Sequence, residues 1–228
     1  MKQLVIATTM TLFSLSLFWT NAFAGFGQKL CNSPQYYCIK VKPQQSWASL
    51  FPDSDMRLIV KKVNRMNTNL HGGMIIAVPR HLESVHVMDL APLPHSINAQ
   101  GHDVVQVNLS KLAWGAYDSG GNLVNWGPVS GGKGYCPDIH RGCKTVMGTF
   151  TVYDKQGPNC ISHVFPRPHG GAPMPYCMHF HGGYALHGSY TVPGFNASHG
   201  CVRLFVEDAM WLNHEFVQTG ETKVKIIP

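Results

Sequence analysis

The chain of 228 residues contains seven cysteines, and this odd number constrains its fold more than any other feature. They are Cys31, Cys38, Cys136, Cys143, Cys160, Cys177 and Cys201. Seven thiols cannot all pair within one chain, so one stays free or cross-links two chains. Two neighbouring pairs enclose six residues each and a third encloses sixteen, so pairing each cysteine with the next leaves Cys201 alone. Spacing does not fix this connectivity, because about 105 arrangements leave one cysteine unpaired.

The first 24 residues have the pattern of a secretory signal. Lys2 supplies a positive start, residues 12–19 are apolar, and Ala22-Phe23-Ala24 places small residues at a cleavage site. An uncleaved anchor is the alternative, because the uncharged run is long enough to span a bilayer. We favour cleavage after Ala24, since Ser and Thr dilute the run. Export takes the chain to an oxidising compartment, where cysteines normally pair.

Composition narrows the class of protein further. With 23 Gly, 15 Pro and 13% charged residues, the sequence favours a turn-rich, mainly β protein over a helical bundle. The net charge of +6 is scattered, without the basic clusters that nucleic-acid binding needs. The Asn-x-Ser sites at Asn108 and Asn196 favour a bacterial source, because a glycan at Asn196 would obstruct the region of Cys201. We therefore expect a monomer in the periplasm or cell envelope of a bacterium, with no stable membrane insertion after cleavage.

Residues 36–82 form a first unit with a predicted β-α-α-β order. An apolar strand at 38–41 is followed by helical stretches near 47–51 and 56–66 and by a strand at 74–78. With Trp47 after the first turn, Asn64 and Asn67 at the second helix end, and a closing Gly-Met-Ile-Ile-Ala-Val-Pro, the unit resembles a LysM module. This resemblance implies glycan binding, and a plain packing subdomain is the alternative.

Residues 83–101 contain two prolines and no sustained periodicity, so they are predicted to be a linker. A second domain, residues 102–228, begins with alternating apolar residues of a half-buried strand and continues as short strands and turns. One helix is predicted over 206–217, with an apolar face formed by Phe205, Ala209, Leu212 and Phe216.

The residues around Cys201 have the properties of a nucleophilic site. Such a site needs a base, donors for an oxyanion and a backbone that a substrate can approach. His187-Gly188 precedes Ser198-His199-Gly200-Cys201, and Gly200 removes a side chain immediately before the thiol. A free cysteine has a pKa of about 8.5, and a nearby imidazolium would increase its thiolate fraction. A structural half-cystine is the alternative for Cys201.

The run from His187-Gly188 to Ser198-His199-Gly200-Cys201-Val202-Arg203-Leu204 resembles the signature of the YkuD-type L,D-transpeptidases. The similarity extends over residues 102–228 and includes Thr145-Val146-Met147-Gly148-Thr149-Phe150, in which Val146 replaces a proline of the family element. It implies a β-sandwich catalytic domain with one packed helix.

The same resemblance assigns roles to individual residues. It implies that Cys201 is the acylated nucleophile and that His187 is its base, oriented by a backbone carbonyl near Gly188. The backbone amides of His199, Gly200 and Cys201 would then donate to the oxyanion. It also implies substrate-binding or loop-supporting residues in and beside the cleft: Ser198, Arg203, Gly188, Tyr176 and Tyr184.

The resemblance implies an enzyme that needs no cofactor and acts on peptidoglycan stem peptides and glycan. Cys201 would form a thioester with the stem peptide and transfer it to an amine, giving a 3,3 cross-link or a protein anchor. Transfer to water would make the enzyme an L,D-carboxypeptidase instead. A non-enzymatic wall-binding or adhesion protein is the alternative from another class.

A zinc peptidase is the rival enzyme. His179 and His181 would share one face of a strand, a spacing that suits zinc. No Asp or Glu occurs between Asp154 and Glu207 to complete such a site. We therefore expect no catalytic metal.

Overall fold

The computed structural model describes residues 25–166 and 168–228. The predicted signal segment, residues 1–24, lies outside these described residues. None of the helices in the described part of the chain is long and apolar enough to cross a bilayer.

The N-terminal module has the predicted β-α-α-β order, preceded by one short helix. Its elements are α1 (Phe26–Leu30), β1 (Tyr36–Lys40), α2 (Trp47–Leu50), α3 (Ser54–Val63) and β2 (Ile75–Pro79). Strands β1 and β2 pair antiparallel. Ser46 begins α2 with a capping box, and Asp53 begins α3 by accepting from two backbone amides. The order of elements is as expected, while the assignment to the LysM family stays a prediction.

The second domain is built on a single sheet. Its strands, with the small hairpin β6–β7, are β3 (Val104–Asn108), β4 (Ala113–Tyr117), β5 (Leu123–Ser130), β6 (Tyr135–Cys136), β7 (Arg141–Gly142), β8 (Gly148–Thr151), β9 (Asp154–Lys155), β10 (Met178–His181), β11 (Tyr184–Gly188), β12 (Val202–Leu204) and β13 (Lys223–Ile227). Nine of them form one sheet in the order β8-β13-β3-β4-β5-β12-β11-β10-β9. The pairs β3–β13 and β11–β12 are parallel, and the other pairs are antiparallel.

The sheet curls so that strands near its two ends face each other. Phe150 on β8 and Phe180 on β10 pack with their ring centroids 5.6 Å apart. Between the two halves lies the main apolar core, which includes fully buried Trp114, Leu186 and Leu204. The prediction of a mainly β, sandwich-like domain is therefore confirmed.

Residues 83–101 lack long elements, as expected of a linker, but they pack against the sheet. Tyr117 donates its hydroxyl to Pro94 O at 2.9 Å, and Trp126 Nε1 donates to Val87 O at 2.7 Å. Ile97 and Ala99 cover one side of β3 and β4. Strand β3 is therefore buried on both faces, whereas its alternating pattern predicted burial on one face only.

The predicted C-terminal helix consists of two parts. Helix α4 (Val206–Trp211) continues into one wider turn, Leu212–Phe216, in which Val217 N donates to Leu212 O. Lys155 Nζ donates to Asn213 O and Val217 O at 2.7 and 2.8 Å, so the carbonyls at this end have a charged partner. Phe205, Ala209 and Leu212 are buried, which confirms the predicted apolar face.

The disulfides follow the sequential pairing. Cys31–Cys38, Cys136–Cys143 and Cys160–Cys177 are bonded, and Cys201 is free. Each bridge closes a local loop, so none of them links the module to the sheet domain.

A buried ion pair connects the module to the sheet domain instead. Lys62 on α3 places its Nζ 2.9 Å from Asp208 Oδ1 on α4 and 3.0 Å from Trp126 O on β5. Both charged side chains are 8% exposed. Arg65 lies over the rings of Phe26 and Trp126, with its guanidinium carbon 4.9 Å from each ring centroid. The module is thus docked through groups that need partners once they leave water.

Candidate active site

The sheet brings three of the predicted site residues to one face. Strands β11 and β12 run parallel with His187 opposite Arg203. Cys201 comes immediately before β12, two residues from Arg203. Because side chains two residues apart share one face of a strand, Cys201, Arg203 and His187 are on the same side of the sheet.

His187 is oriented by its own chain. Its Nδ1 lies 2.9 Å from Gly188 O, so the ring donates from Nδ1 and keeps a lone pair on Nε2. The side chain is buried, and this burial lowers the pKa of His187 to about 4 despite the opposing effect of the Gly188 carbonyl. The positive charge of Arg203 lowers this pKa further. His187 is therefore a neutral imidazole at neutral pH.

Cys201 is a protonated thiol under the same conditions. Burial raises its pKa, although the backbone amide of Ala185 and the charge of Arg203 act in the opposite direction. Its Sγ lies 3.5 Å from Gly183 O, to which the thiol donates. The sequence suggested that an imidazolium would increase the thiolate fraction, and the structure differs because burial keeps His187 uncharged. The contacts of Gly183 and Ala185 were not foreseen from the sequence.

The loop before Cys201 is held in a conformation that needs glycine. Gly200 has a φ of +130°, and a Cβ there would come within 2.8 Å of the Tyr184 ring. Ser198 Oγ accepts from Gly200 N at 3.0 Å and donates to Cys201 O. The Gly200 amide is therefore already engaged, contrary to the expectation that it is available to an oxyanion. Ser198 therefore stabilises the loop through these two hydrogen bonds to neighbouring backbone groups.

Thr145, to which no site role was assigned from the sequence, bonds the same loop from a distant part of the chain. Its hydroxyl donates to Gly200 O at 2.8 Å and accepts from Gly132 N at 2.8 Å. The residue is buried. Its position in the Thr145-to-Phe150 run that resembles a family element was the signal that could have identified it.

His199 points toward the small disulfide loop. Its Nε2 lies 2.7 Å from Asp138 Oδ2, and its ring packs on Phe165 with centroids 4.6 Å apart. Asp138 belongs to the loop closed by Cys136–Cys143. The imidazole of His199 is thus held by the loop that the Cys136–Cys143 disulfide closes, and it is not free to act as a second base.

A cleft of about 520 Å³ opens over these residues. One wall is the segment closed by Cys160–Cys177, with residues 161–165 and 172–174, and the other carries Ser189 and Thr191. Two arginines and four histidines line it: Arg141, Arg203, His163, His179, His187 and His199. No carboxylate occurs among the described residues that line it. The cleft therefore favours an anionic ligand.

The structure distributes the predicted site residues unequally. Six of them line the cleft: Cys201, His187, His199, Ser198, Arg203 and Tyr184. Gly188 supplies the carbonyl for His187 and allows close approach of Pro175, whose O accepts from Gly188 N at 2.8 Å. Tyr176 does not line the cleft. Its ring instead packs edge-on against His214, with centroids 5.4 Å apart.

The histidine pair considered for zinc is separated in the structure. His179 lines the cleft and bonds Asp154 through Nδ1 at 3.2 Å, whereas exposed His181 packs on Phe150. The pairing of β10 with β11 shifts between His179 and His181. In the described residues, one group of possible metal ligands combines Asp138 and His199 with Cys136, whose sulfur is in a disulfide.

Sequence comparison agrees with this fold. The model of the L,D-transpeptidase catalytic domain family, YkuD, matches residues 102–226. This chain therefore belongs to the YkuD L,D-transpeptidase family. No curated protein matches the chain at a significant level.

Two solved structures share the fold. An L,D-transpeptidase from Xylanimonas cellulosilytica is 25% identical over 75% of this chain and 78% of its own, with a TM-score of 0.54. An L,D-transpeptidase from Stackebrandtia nassauensis is 19% identical over 76% of this chain and 78% of its own, with a TM-score of 0.50. The second similarity concerns the fold alone.

Proposed function

We propose that this protein is a peptidoglycan L,D-transpeptidase in which Cys201 forms a thioester with a stem peptide and passes the acyl group to an amine. The observation that carries the proposal is the pairing of β11 with β12, which places Cys201, His187 and Arg203 on one face of the sheet beneath the cleft. Family membership supports the reaction class.

The first step needs a proton acceptor for the thiol. Neutral His187 has its Nδ1 bonded to Gly188 O, so Nε2 is the atom that accepts the proton of Cys201. The sulfur then bonds to the carbonyl carbon at the L-centre of the diamino acid in the third position of the stem. The resulting imidazolium returns its proton to the nitrogen of the terminal D-residue as the carbon–nitrogen bond breaks.

The second step repeats this chemistry with an incoming amine. His187 takes a proton from the amine as its nitrogen attacks the thioester carbonyl, and the proton returns to the sulfur when Cys201 leaves. In both steps, the oxyanion that develops on the attacked carbonyl oxygen needs backbone donors. Because Ser198 occupies the Gly200 amide, the amides of His199 and Cys201 are the proposed donors.

The charge of the cleft suits such a substrate. Stem peptides carry carboxylates, and a cleft with Arg203 and Arg141 but no lining carboxylate attracts them. We propose that residues 36–82 hold the glycan near the cleft and that the protein works in the bacterial cell envelope after export. Three disulfides in the described residues support an oxidising compartment.

Two measurements test the function. Incubation with a carbapenem, which the family resemblance implies as a mimic of the acyl donor, should add one β-lactam mass at Cys201, and Cys201→Ala should abolish this adduct. Incubation with sacculi, followed by mass analysis of muropeptides, distinguishes the acceptors. Cross-linked dimers indicate a stem amine and tripeptides indicate water. A wild-type protein without any adduct or muropeptide change would contradict the proposal.

A further inference from the structure

The segment that follows α3 in the N-terminal module reaches the loop that follows β11, the strand of His187. Asn67 Nδ2 donates to Ser189 O at 2.7 Å, and Asn67 Oδ1 accepts from Val192 N at 2.9 Å. The backbone of Asn67 also donates to Val192 O at 2.9 Å. Met66 forms a bridge with Pro193. One residue of the module therefore binds both ends of the four-residue stretch 189–192.

This stretch lies between two groups of the proposed mechanism. Gly188 O, which orients His187, is one peptide before Ser189 O. Thr191 O accepts from Arg203 Nη1 at 3.3 Å and comes directly before Val192. Ser189 and Thr191 also line the cleft. A shift of residues 189–192 would therefore move the partners of both His187 and Arg203.

The module contacts only the earlier half of the loop. The later half is fixed within the sheet domain, because Asn196 Oδ1 accepts from Gly131 N at 2.9 Å and Phe195 O accepts from Ser130 Oγ at 2.7 Å. The earlier half is held from two sides: Ser189 N donates to Leu204 O at 2.8 Å in the sheet domain, and Asn67 and Met66 hold it from the module. The ion pair of Lys62 with Asp208 fixes α3 on the sheet domain, so Asn67 is presented from a docked element.

We propose that Asn67 is a positioning residue for acyl transfer, which holds residues 189–192 so that Gly188 O orients His187 and Thr191 O orients Arg203. The N-terminal module then completes the catalytic site in addition to any binding of glycan. This inference rests on the proposed function for its main readout. It assigns Asn67 no contact with the substrate.

The test compares two asparagines of the same helix end in the full mature chain. Asn67→Ala removes the side-chain bonds to Ser189 and Val192. Asn64→Ala is the matched control, because the side-chain bonds of Asn64 among the described residues, to Val60 O, Ala77 O and Ala77 N, all lie within the module. The rate of Cys201 acylation by a carbapenem is measured at saturation, well below the unfolding temperature of each variant.

We expect Asn67→Ala to lower the acylation rate about a hundredfold, the size expected when a reacting group is misplaced by about 1 Å. Asn64→Ala should unfold at a lower temperature and yet be acylated at the wild-type rate. Asn67→Asp keeps the acceptor for Val192 N and removes the donor to Ser189 O, so it should lose rate as well. This second variant decides the matter if Asn67→Ala does not fold.

A second readout needs no acyl donor. The pH dependence of Cys201 alkylation by iodoacetamide should shift in Asn67→Ala and stay unchanged in Asn64→Ala, because only the first disturbs His187 and Arg203. A wild-type protein that is not acylated would count against the proposed function, and alkylation would still decide the role of Asn67. Wild-type rates and pH profiles in both Asn67 variants, or equal rate losses in Asn67→Ala and Asn64→Ala, would overturn the inference.

Discussion

The cleft and the interface between the module and the sheet domain both bury ionisable side chains, but they treat them differently. At the interface, the Lys62 ammonium has Asp208 Oδ1 and Trp126 O as partners at 2.9 and 3.0 Å. In the cleft, His187 is bonded through Nδ1, and the Cys201 thiol makes a long contact of 3.5 Å. At the interface, the ion pair offsets the cost of burying two charges. In the cleft, burial instead keeps His187 and Cys201 uncharged.

This difference separates stability from reactivity. A paired ammonium and carboxylate hold two parts of the chain together and are costly to break. A neutral imidazole with a lone pair on Nε2, lining the same cleft as a neutral thiol, has the protonation state that a general base needs. Substitutions at the two places should therefore affect different measurements.

The largest effect should come from the base. His187→Ala is expected to lower the rate of Cys201 acylation by about 10²- to 10⁴-fold, the usual contribution of a general base. His181→Ala is the matched control on the neighbouring strand, because exposed His181 lies outside the cleft lining. Mass spectrometry of the carbapenem adduct over time measures both rates. Equal rates in the two variants would remove His187 from the mechanism.

The next effect concerns the interface. Lys62→Met should lower the free energy of unfolding by about 3–5 kcal/mol, because it leaves the Asp208 carboxylate buried without its partner. Burial raises the pKa of Asp208, which Lys62 opposes, so the loss should shrink at low pH, where the unpaired carboxyl takes up a proton. Denaturant unfolding at two pH values measures this.

Two further variants sharpen the same test. The double variant Lys62→Met with Asp208→Leu should regain most of the stability, since both charges are gone. Lys61→Met, at the neighbouring and more exposed position, should change little. Folded Lys62→Met should lose less acylation rate than His187→Ala or Asn67→Ala, because Asn67 and Met66 keep their contacts with residues 189–193. A rate loss as large as that of His187→Ala would mean that the interface and the cleft are not separable.

A smaller effect is expected at Thr145, whose hydroxyl bonds both Gly132 N and Gly200 O. Thr145→Val leaves Gly132 N and Gly200 O without their hydroxyl partner, which should cost about 1–3 kcal/mol of stability. It should also slow acylation, because Gly200 directly precedes Cys201, the proposed nucleophile. Thr149→Val, at an exposed position on β8, is the control for both measurements. Unchanged acylation in Thr145→Val would make its contact purely structural.

The smallest effect is a shift in pH dependence. Burial raises the pKa of Cys201, so its alkylation by iodoacetamide should reach half its maximal rate at a higher pH than that of an unstructured cysteine peptide. Burial lowers the pKa of His187 to about 4, so acylation should fall only as the pH drops toward about 4. A plateau of alkylation at low pH would instead indicate a thiolate–imidazolium pair.

Local patterns predicted the parts of this molecule that depend on local spacing. The β-α-α-β order follows from short apolar runs, and each disulfide joins neighbouring cysteines. The run from Ser198 to Leu204 indicated the loop that carries Cys201, the proposed nucleophile, because its residues are consecutive. Such features can be found without knowing how distant segments meet.

The contacts that support the site could not be found in this way. Thr145 reaches Gly200 across 55 positions, His199 reaches Asp138 across 61, and Asn67 reaches Ser189 across 122. Which distant residue meets which loop is decided by the curl of the sheet and the docking of the module. The expectation that Tyr176 lines the cleft failed for a related reason, since its ring packs against distant His214.

The consecutive pairing of cysteines has a consequence for how the disulfides form as the chain emerges during synthesis and export. A chain that is oxidised while it emerges N-terminus first presents Cys31 and Cys38, then Cys136 and Cys143, then Cys160 and Cys177. The first cysteine of each pair can form its bond as soon as the next cysteine in the sequence has emerged. Cys201 arrives last, when every earlier sulfur is already occupied. The order of emergence alone would therefore leave Cys201, the proposed nucleophile, as a free thiol without any disulfide exchange.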